Sequence, residues 1–218
     1  MTNTSNIVIT ISRELGSGGA YVGQQLASRL DMLYVDRQIV SKAVQQLKVM
    51  EEDLEYRDET RTSFWQSVLQ RCANSLPNLD GYSPPLPVSL TDEEFYKAES
   101  DVITRIVLEN SAVIVGRGSS YIFRQYPRHV SVFLHADLAF RNQRVQELYQ
   151  VSAGEAKKLI EKIDKERSHY LNAMTGRDWA NSRYYHLAVD SGSIGLERTL
   201  DIILAYVKAR FGAGVSIR

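Results

Sequence analysis

Asn6-Ile7-Val8-Ile9-Thr10-Ile11-Ser12 runs into Arg13-Glu14-Leu15 and then into Gly16-Ser17-Gly18-Gly19-Ala20. The first seven residues are largely apolar and β-branched, the composition of a strand buried on both faces of a parallel sheet. Behind the glycines, Val22, Leu26, Ala27 and Leu30 recur at helical spacing. A glycine-rich turn between a strand and a helix suits phosphate. Small residues let backbone N–H groups close round an anion, and the helix N-terminus adds favourable partial charge.

Two loop patterns compete for this stretch. The dinucleotide fingerprint Gly-x-Gly-x-x-Gly fits Gly16 and Gly18 but meets Tyr21 at its third glycine. Asp36 stands about where that pattern needs a ribose-binding acid. Against it, Ser12 to Leu15 separate the strand from the first glycine, whereas a dinucleotide turn starts almost at once. The P-loop pattern Gly-x-x-x-x-Gly-Lys-[Ser/Thr] accommodates the longer loop. It aligns Arg13 with the first glycine, Gly19 with the lysine and Ala20 with the magnesium-binding hydroxyl. The backbone cradle is kept, and its usual lysine and hydroxyl are missing.

Outward from the loop, residues 32–35 read as a short second strand ending at Asp36, and 37–48 as a helix. Residues 48–92 change character: 51–62 are charge-rich, 63–73 are helix-like, and Pro77, Gly81, Pro84, Pro85 and Pro87 mark an irregular stretch. Thr91-Asp92-Glu93-Glu94 has the form of a capping box opening a helix to about 110. Residues 112–115 form a third strand, followed by Gly116-Arg117-Gly118, and 130–134 a fourth. Residues 136–149 are helical. Ser152-Ala153-Gly154-Glu155 is a second capping box, opening a long helix to about 171. A polar loop spans 174–184, a fifth strand 186–189, and Asp190 stands as a cap for the final helix. That helix presents Leu196, Leu200, Ile203, Leu204, Val207 and Phe211 on one face.

Strands alternating with helices imply parallel βαβ units. The expected fold is α/β: a three-layer αβα sandwich with a central parallel five-stranded sheet, a helical insertion and a lid. Ligands of such sheets sit at the carboxyl ends of the strands. Ser12-Arg13, Asp36-Arg37 and Gly116-Arg117 should therefore face one cleft, each bringing an arginine.

Composition sets the outer bounds. The 218 residues are 44% hydrophobic and 24% charged, enough apolar material for a sizeable core. At roughly 150 residues per domain this is one domain with an insertion. Twenty-six basic residues balance twenty-six acidic ones, which argues against nucleic acid as a partner. Cys72 is alone, so no disulfide framework or Cys-rich zinc site is expected, and a reduced, cytoplasmic setting follows. No secretory leader or membrane-spanning run is read, so no membrane is expected. His129, His135, His169 and His186 lack metal-ligand spacing and read as structural; no protein metal site is expected.

The stretch from Ile11 to Gly19 resembles the opening of the cytidylate-kinase-like proteins, a branch of the P-loop nucleoside monophosphate kinases, which characteristically reads Ser-Arg-x-x-Gly-Ser-Gly-Gly. The resemblance continues at Tyr34-Val35-Asp36-Arg37, Val115-Gly116-Arg117-Gly118 and Arg141-Asn142-Gln143-Arg144. It resumes at Asp164-Lys165-Glu166-Arg167, Trp179, Tyr185-His186-Leu187 and Asp190-Ser191. It covers nearly the whole chain except roughly 48–92.

The resemblance implies transfer of the terminal phosphate of ATP, with Mg2+, to a nucleoside monophosphate, CMP or dCMP first. Small-molecule nucleotides are the implied partners. The implied kinase core is 1–47 and 93–218, with a lid at about 145–184 and an acceptor-binding insertion at 48–92. Gly16, Ser17, Gly18, Gly19, Ala20 and Arg141 would hold the ATP phosphates. Asp36, Arg37 and Arg117 would meet the acceptor. Arg144 and Arg167 would stabilise transferring charge from the lid. Arg13, the cation nearest the loop in sequence, is the candidate to replace the lysine. Plainer roles stand beside these. Arg13 and Glu14 form an ion pair, Asp36 caps a helix, Asp164 and Arg167 pair within one helix, and Trp179 packs. Two other activities fit the same residues: nucleotide binding without transfer, and a kinase for another small hydroxylated acceptor.

Overall fold

A computed structural model describes residues 6–40, 92–116 and 118–212. The expected insertion, Cys72, the cap at Thr91 and the acceptor-phosphate candidate Arg117 lie outside the described residues.

The elements are β1 (Val8–Arg13), α1 (Gly19–Leu30), β2 (Leu33–Val35), α2 (Asp92–Glu109), β3 (Ala112–Val115) and a single turn α3 (Ser119–Ile122). Then come β4 (His129–His135), α4 (Leu138–Tyr149), α5 (Ala153–Thr175), a 3-10 turn (Ser182–Tyr184), β5 (Leu187–Asp190), a second single turn α6 (Ser191–Ile194) and α7 (Leu196–Phe211). The strands form one parallel sheet in the order β2-β3-β1-β4-β5. The expected five-stranded α/β sandwich is thus observed. β1 lies between β3 and β4, with Val8 opposite both Ala112 and His129. A dinucleotide fold places β1 beside β2, so the sheet order removes that reading of the loop.

Period-2 alternation along β1 sorts its side chains between two layers. Ile7, Ile9 and Ile11 pack with Val22 and Leu26 of α1 and with Leu200 and Ile203 of α7. Val8 packs on the other face with Val102, Ile103 and Ile106 of α2. Each fully buried aliphatic side chain contributes about 1.5–3 kcal/mol. A third cluster sets Leu15, from the loop itself, among Val145 of α4 and Ala156, Ile160 and Ile163 of α5. The segment expected as a lid is therefore packed onto the loop through an apolar peg.

Local signals explain most helix ends. The Ser152 box is complete: its hydroxyl accepts from the Glu155 amide, and the Glu155 carboxylate accepts from the Ser152 amide. Asp137 caps α4 through the Phe140 amide. Asp190 corrects its expected role. It caps the single turn α6 through the Gly192 and Ser193 amides, and the residue before α7 is Gly195. A four-residue helix is too short to leave a periodic pattern of its own in the sequence.

His129 sits in the sheet at 2% exposure, its Nε2 2.8 Å from Thr10 Oγ1. Burial, with His186 and Arg210 nearby, pushes its pKa down from 6.5 to about 3. The unfolded chain binds this proton more readily than the folded one. The stabilising contribution is therefore complete above pH 6.5 and is lost as pH falls toward 3, at up to about 1.4 kcal/mol per pH unit. Urea titrations across that window should show a shallower fall for His129→Gln than for the unsubstituted chain. Equal slopes would contradict the assignment.

Candidate active site

The loop after β1 is held from three sides. The Glu14 amide donates to the Leu134 carbonyl at 3.0 Å. The Ser17 hydroxyl reaches the carbonyls of Glu14 and Leu134 at 2.9 and 3.2 Å. The Ser191 hydroxyl donates to the Ser17 carbonyl at 2.7 Å. Gly16 and Gly18 have φ of +85° and +84°, a left-handed backbone that glycine adopts without penalty. Both are also crowded. A β-carbon at Gly16 would lie 2.7 Å from the Arg141 carbonyl oxygen, and one at Gly18 would overlap the Leu196 side chain. Among the described residues, the amides of Gly16, Gly18 and Gly19 donate to no protein acceptor. Gly19 opens the twelve-residue helix α1. Unspent donors at a helix start are what an anion needs.

Arg13 explains the missing lysine sterically. Its Cγ lies 2.5 Å, and its Cβ 2.7 Å, from where a β-carbon on Gly19 would stand. Its guanidinium then runs against Gly116, where a β-carbon would overlap it. The arginine stem thus fills the space that the first side-chain atom of a P-loop lysine would occupy. Lysine at 19 and a long side chain at 13 exclude each other. The glycines at 19 and 116 are the clearance that Arg13 requires.

A charged knot supports the loop from beneath. Asp164 Oδ1 accepts the Leu15 amide at 2.8 Å, and Oδ2 pairs with Arg141 Nη1. Arg167 Nη1 lies 3.7 Å from Asp164 and donates to the Arg13 carbonyl at 2.8 Å. Arg141 Nε also lies 3.5 Å from Glu14 Oε2, which accepts the Ala136 amide at 3.2 Å. Glu14 therefore pairs with Arg141, not with its neighbour Arg13. The Arg141 and Asp164 side chains are 11% and 17% exposed, so the pair is largely desolvated.

Arg13, Gly16, Ala20, Asp36, Arg37 and Arg167 line one open cleft, joined by Glu14, Leu15, Tyr34 and Gln38. The expected convergence of two strand ends is there, with the third at Arg117 outside the described residues. Asp36 Oδ1 accepts the amides of Gln38 and Ile39 at 3.0 and 3.1 Å, so it caps the following turn while facing the cleft. Arg141 is under the loop and Arg144 lies 5.9 Å from the Phe140 ring; neither lines the cleft. Trp179 packs edge-on against Phe133 at 5.5 Å, the structural role. The anchoring of Leu15 by Asp164 was not read from sequence, which shows only an arginine three residues away.

The sequence model of the cytidylate kinase-like family matches residues 8–193. The chain belongs to this family. No curated protein matches it. Among solved structures, an uncharacterized protein from Eubacterium ventriosum is 22% identical, with a TM-score of 0.70 over 94% of this chain and 99% of that one. Shikimate kinase from Bacteroides thetaiotaomicron is 11% identical, with a TM-score of 0.51 over 93% and 98%. The cytidylate kinase-like chain thus has the kinase fold. Among its described residues no helix is long and apolar enough to cross a membrane.

A triphosphate fits this loop on two counts: the unspent amides of Gly16, Gly18 and Gly19, and three arginines on the cleft. Magnesium finds less. Ala20 has no hydroxyl, the Ser17 hydroxyl is engaged with carbonyls, and no group of three acidic, His or Cys side chains among the described residues could hold a metal. Magnesium would be held chiefly by the phosphates it accompanies, as it commonly is.

Proposed function

We propose that this protein transfers the terminal phosphate of ATP, as its magnesium complex, to a nucleoside monophosphate, with CMP or dCMP the first acceptors to try. The observation that carries the reading is Arg13 lying across Gly19, a cation at the lysine's place beside a loop of unspent amides. Family membership supports the reaction class. The magnesium complex would bring the reacting phosphate with part of its charge neutralised. The chain's own residues position and complete that neutralisation, which is the main demand of phosphoryl transfer. The amides of 16, 18 and 19 bind donor oxygens. Arg13 and Arg167 face developing charge. Asp36, across the cleft, meets the acceptor, Arg117 grips its phosphate, and Arg37 is the second phosphate grip.

A coupled assay across CMP, dCMP, UMP, AMP and GMP is the test. Turnover with one of the pyrimidine nucleotides is expected; none with any of the five contradicts the reading. Ala20, in place of the magnesium-binding hydroxyl, favours a second reading: nucleotide binding without transfer. Calorimetry separates the two, since ATP binding with no turnover supports the second.

A further inference from the structure

A parallel sheet covered by helices is normally apolar on both faces. On the face of this sheet that packs against α2, β1 and β4 break that rule with three adjacent polar side chains. Thr10, His129 and Ser131 are each at most 2% exposed. Thr10 bonds to His129 Nε2, and the Ser131 amide donates to His186 Nδ1 at 2.9 Å. His129 Nδ1 is buried, with the Phe123 backbone as a polar neighbour.

Above His129 and Ser131 opens a cleft of about 450 Å³, within the usual size of small-molecule sites. Arg124, Arg177, Arg183 and Tyr184 wall it, and no carboxylate is among its described lining residues. None of the three arginines forms an ion pair among the described residues. The Arg177 guanidinium lies 4.5 Å from the Tyr184 ring centroid and 4.9 Å from that of Tyr121. Arg124 lies 3.9 Å from the same Tyr121 ring. Stacking keeps these planar groups oriented while leaving N–H edges available. In a chain of zero formal charge, three cations in one cleft with no ion pair among the described residues are a local excess that an anion would balance.

We propose that this cleft binds a small phosphate monoester, its phosphoryl group held by Arg124, Arg177 and Arg183. A dianionic phosphate matches three guanidinium forks better than a single carboxylate does. The hydroxyl of Ser120, which also lines the cleft, suits the polar body of such an ester. Among the described residues the cleft shares no lining residue with the one beside residues 13–20, so this ligand is distinct from the nucleotides proposed for that cleft.

The test is an amide NMR titration of the full chain with inorganic phosphate, with sodium chloride at matched ionic strength as control. Saturable shifts at Arg177, Arg183 and Tyr184 are expected, with Kd of about 1 mM or tighter. Arg177→Ala should weaken them about tenfold or more. The exposed Arg183→Gln should do the same while amides elsewhere stay in place, which separates lost binding from lost fold. Shifts confined to residues 13–20, shifts reproduced by chloride, or shifts unchanged in both variants overturn the site. Response at residues 13–20 alone would leave the kinase reading standing and remove only this one.

Discussion

Arg13→Ala is expected to lower turnover by about 10²–10³-fold, the effect of removing one group that stabilises developing charge. The reason is its place. The stem covers Gly19 and the guanidinium reaches Gly116, so no lysine at 19 shares the task. An interaction made only in the transition state lowers kcat and kcat/KM together, whereas one made equally in the ground state raises KM alone. The first pattern is expected. Arg13→Lys should recover part of the loss, because it restores charge without the planar fork. Steady-state kinetics with thermal unfolding beside them decide the matter. Unchanged turnover in a folded Arg13→Ala protein would move the cationic role to another residue.

The second large effect is on stability. Asp164→Ala removes the carboxylate shared by the Leu15 amide, Arg141 and Arg167. Arg141, at 11% side-chain exposure, keeps only the longer contacts to Glu14 and to the Leu15 carbonyl, each at 3.5 Å. Leaving one partner of a buried pair without the other costs about 3 kcal/mol or more. In a chain of this size that lowers Tm by roughly 6–12 °C. Asp164→Asn should lose less, since its amide oxygen still accepts the Leu15 N–H. Calorimetry on the three proteins tests the ranking. A Tm for Asp164→Ala within about 2 °C of the unsubstituted chain would show that the knot does not hold the loop.

These two residues show what could and could not be read in advance. The strands were legible because each is a short, largely apolar run bounded by glycine or a polar residue, and the parallel sheet followed from their alternation with helices. The loop was legible because its glycines have steric causes that no other residue type satisfies. Arg13 could be singled out as the nearest cation, but the reason for Gly19 could not, since it depends on where an arginine six residues earlier lays its stem. Asp164 looked like half of an i,i+3 pair. Its main partner is an amide 149 positions away, a contact that no local pattern encodes. Arg141 is a phosphate ligand only by the family resemblance. The fold turns it inward, where two carboxylates and a carbonyl hold it. The arginine cleft was invisible for the same reason: Arg124 is more than fifty residues from Arg177 and Arg183 in the chain.

Arg167 serves both the loop and the cleft, whereas Arg141 serves the loop alone. Arg141 and Arg167 spend hydrogen bonds on the chain itself, which fixes the loop before any nucleotide arrives. Such preorganisation makes a dipole cradle effective, because its donors need no rearrangement when charge develops. Leu15, 1% exposed in the cluster of α4 and α5, adds an apolar anchor to the same end. The loop is thus built as a rigid receptor, tied by one carboxylate and one leucine to the helices beside it.

A crystal structure with a non-hydrolysable ATP analogue bears most directly on this account. The expected density places phosphate oxygens against the amides of Gly16, Gly18 and Gly19 with the Arg13 guanidinium beside them. An analogue bound elsewhere, or a saturated crystal in which those amides meet no anion, would contradict it.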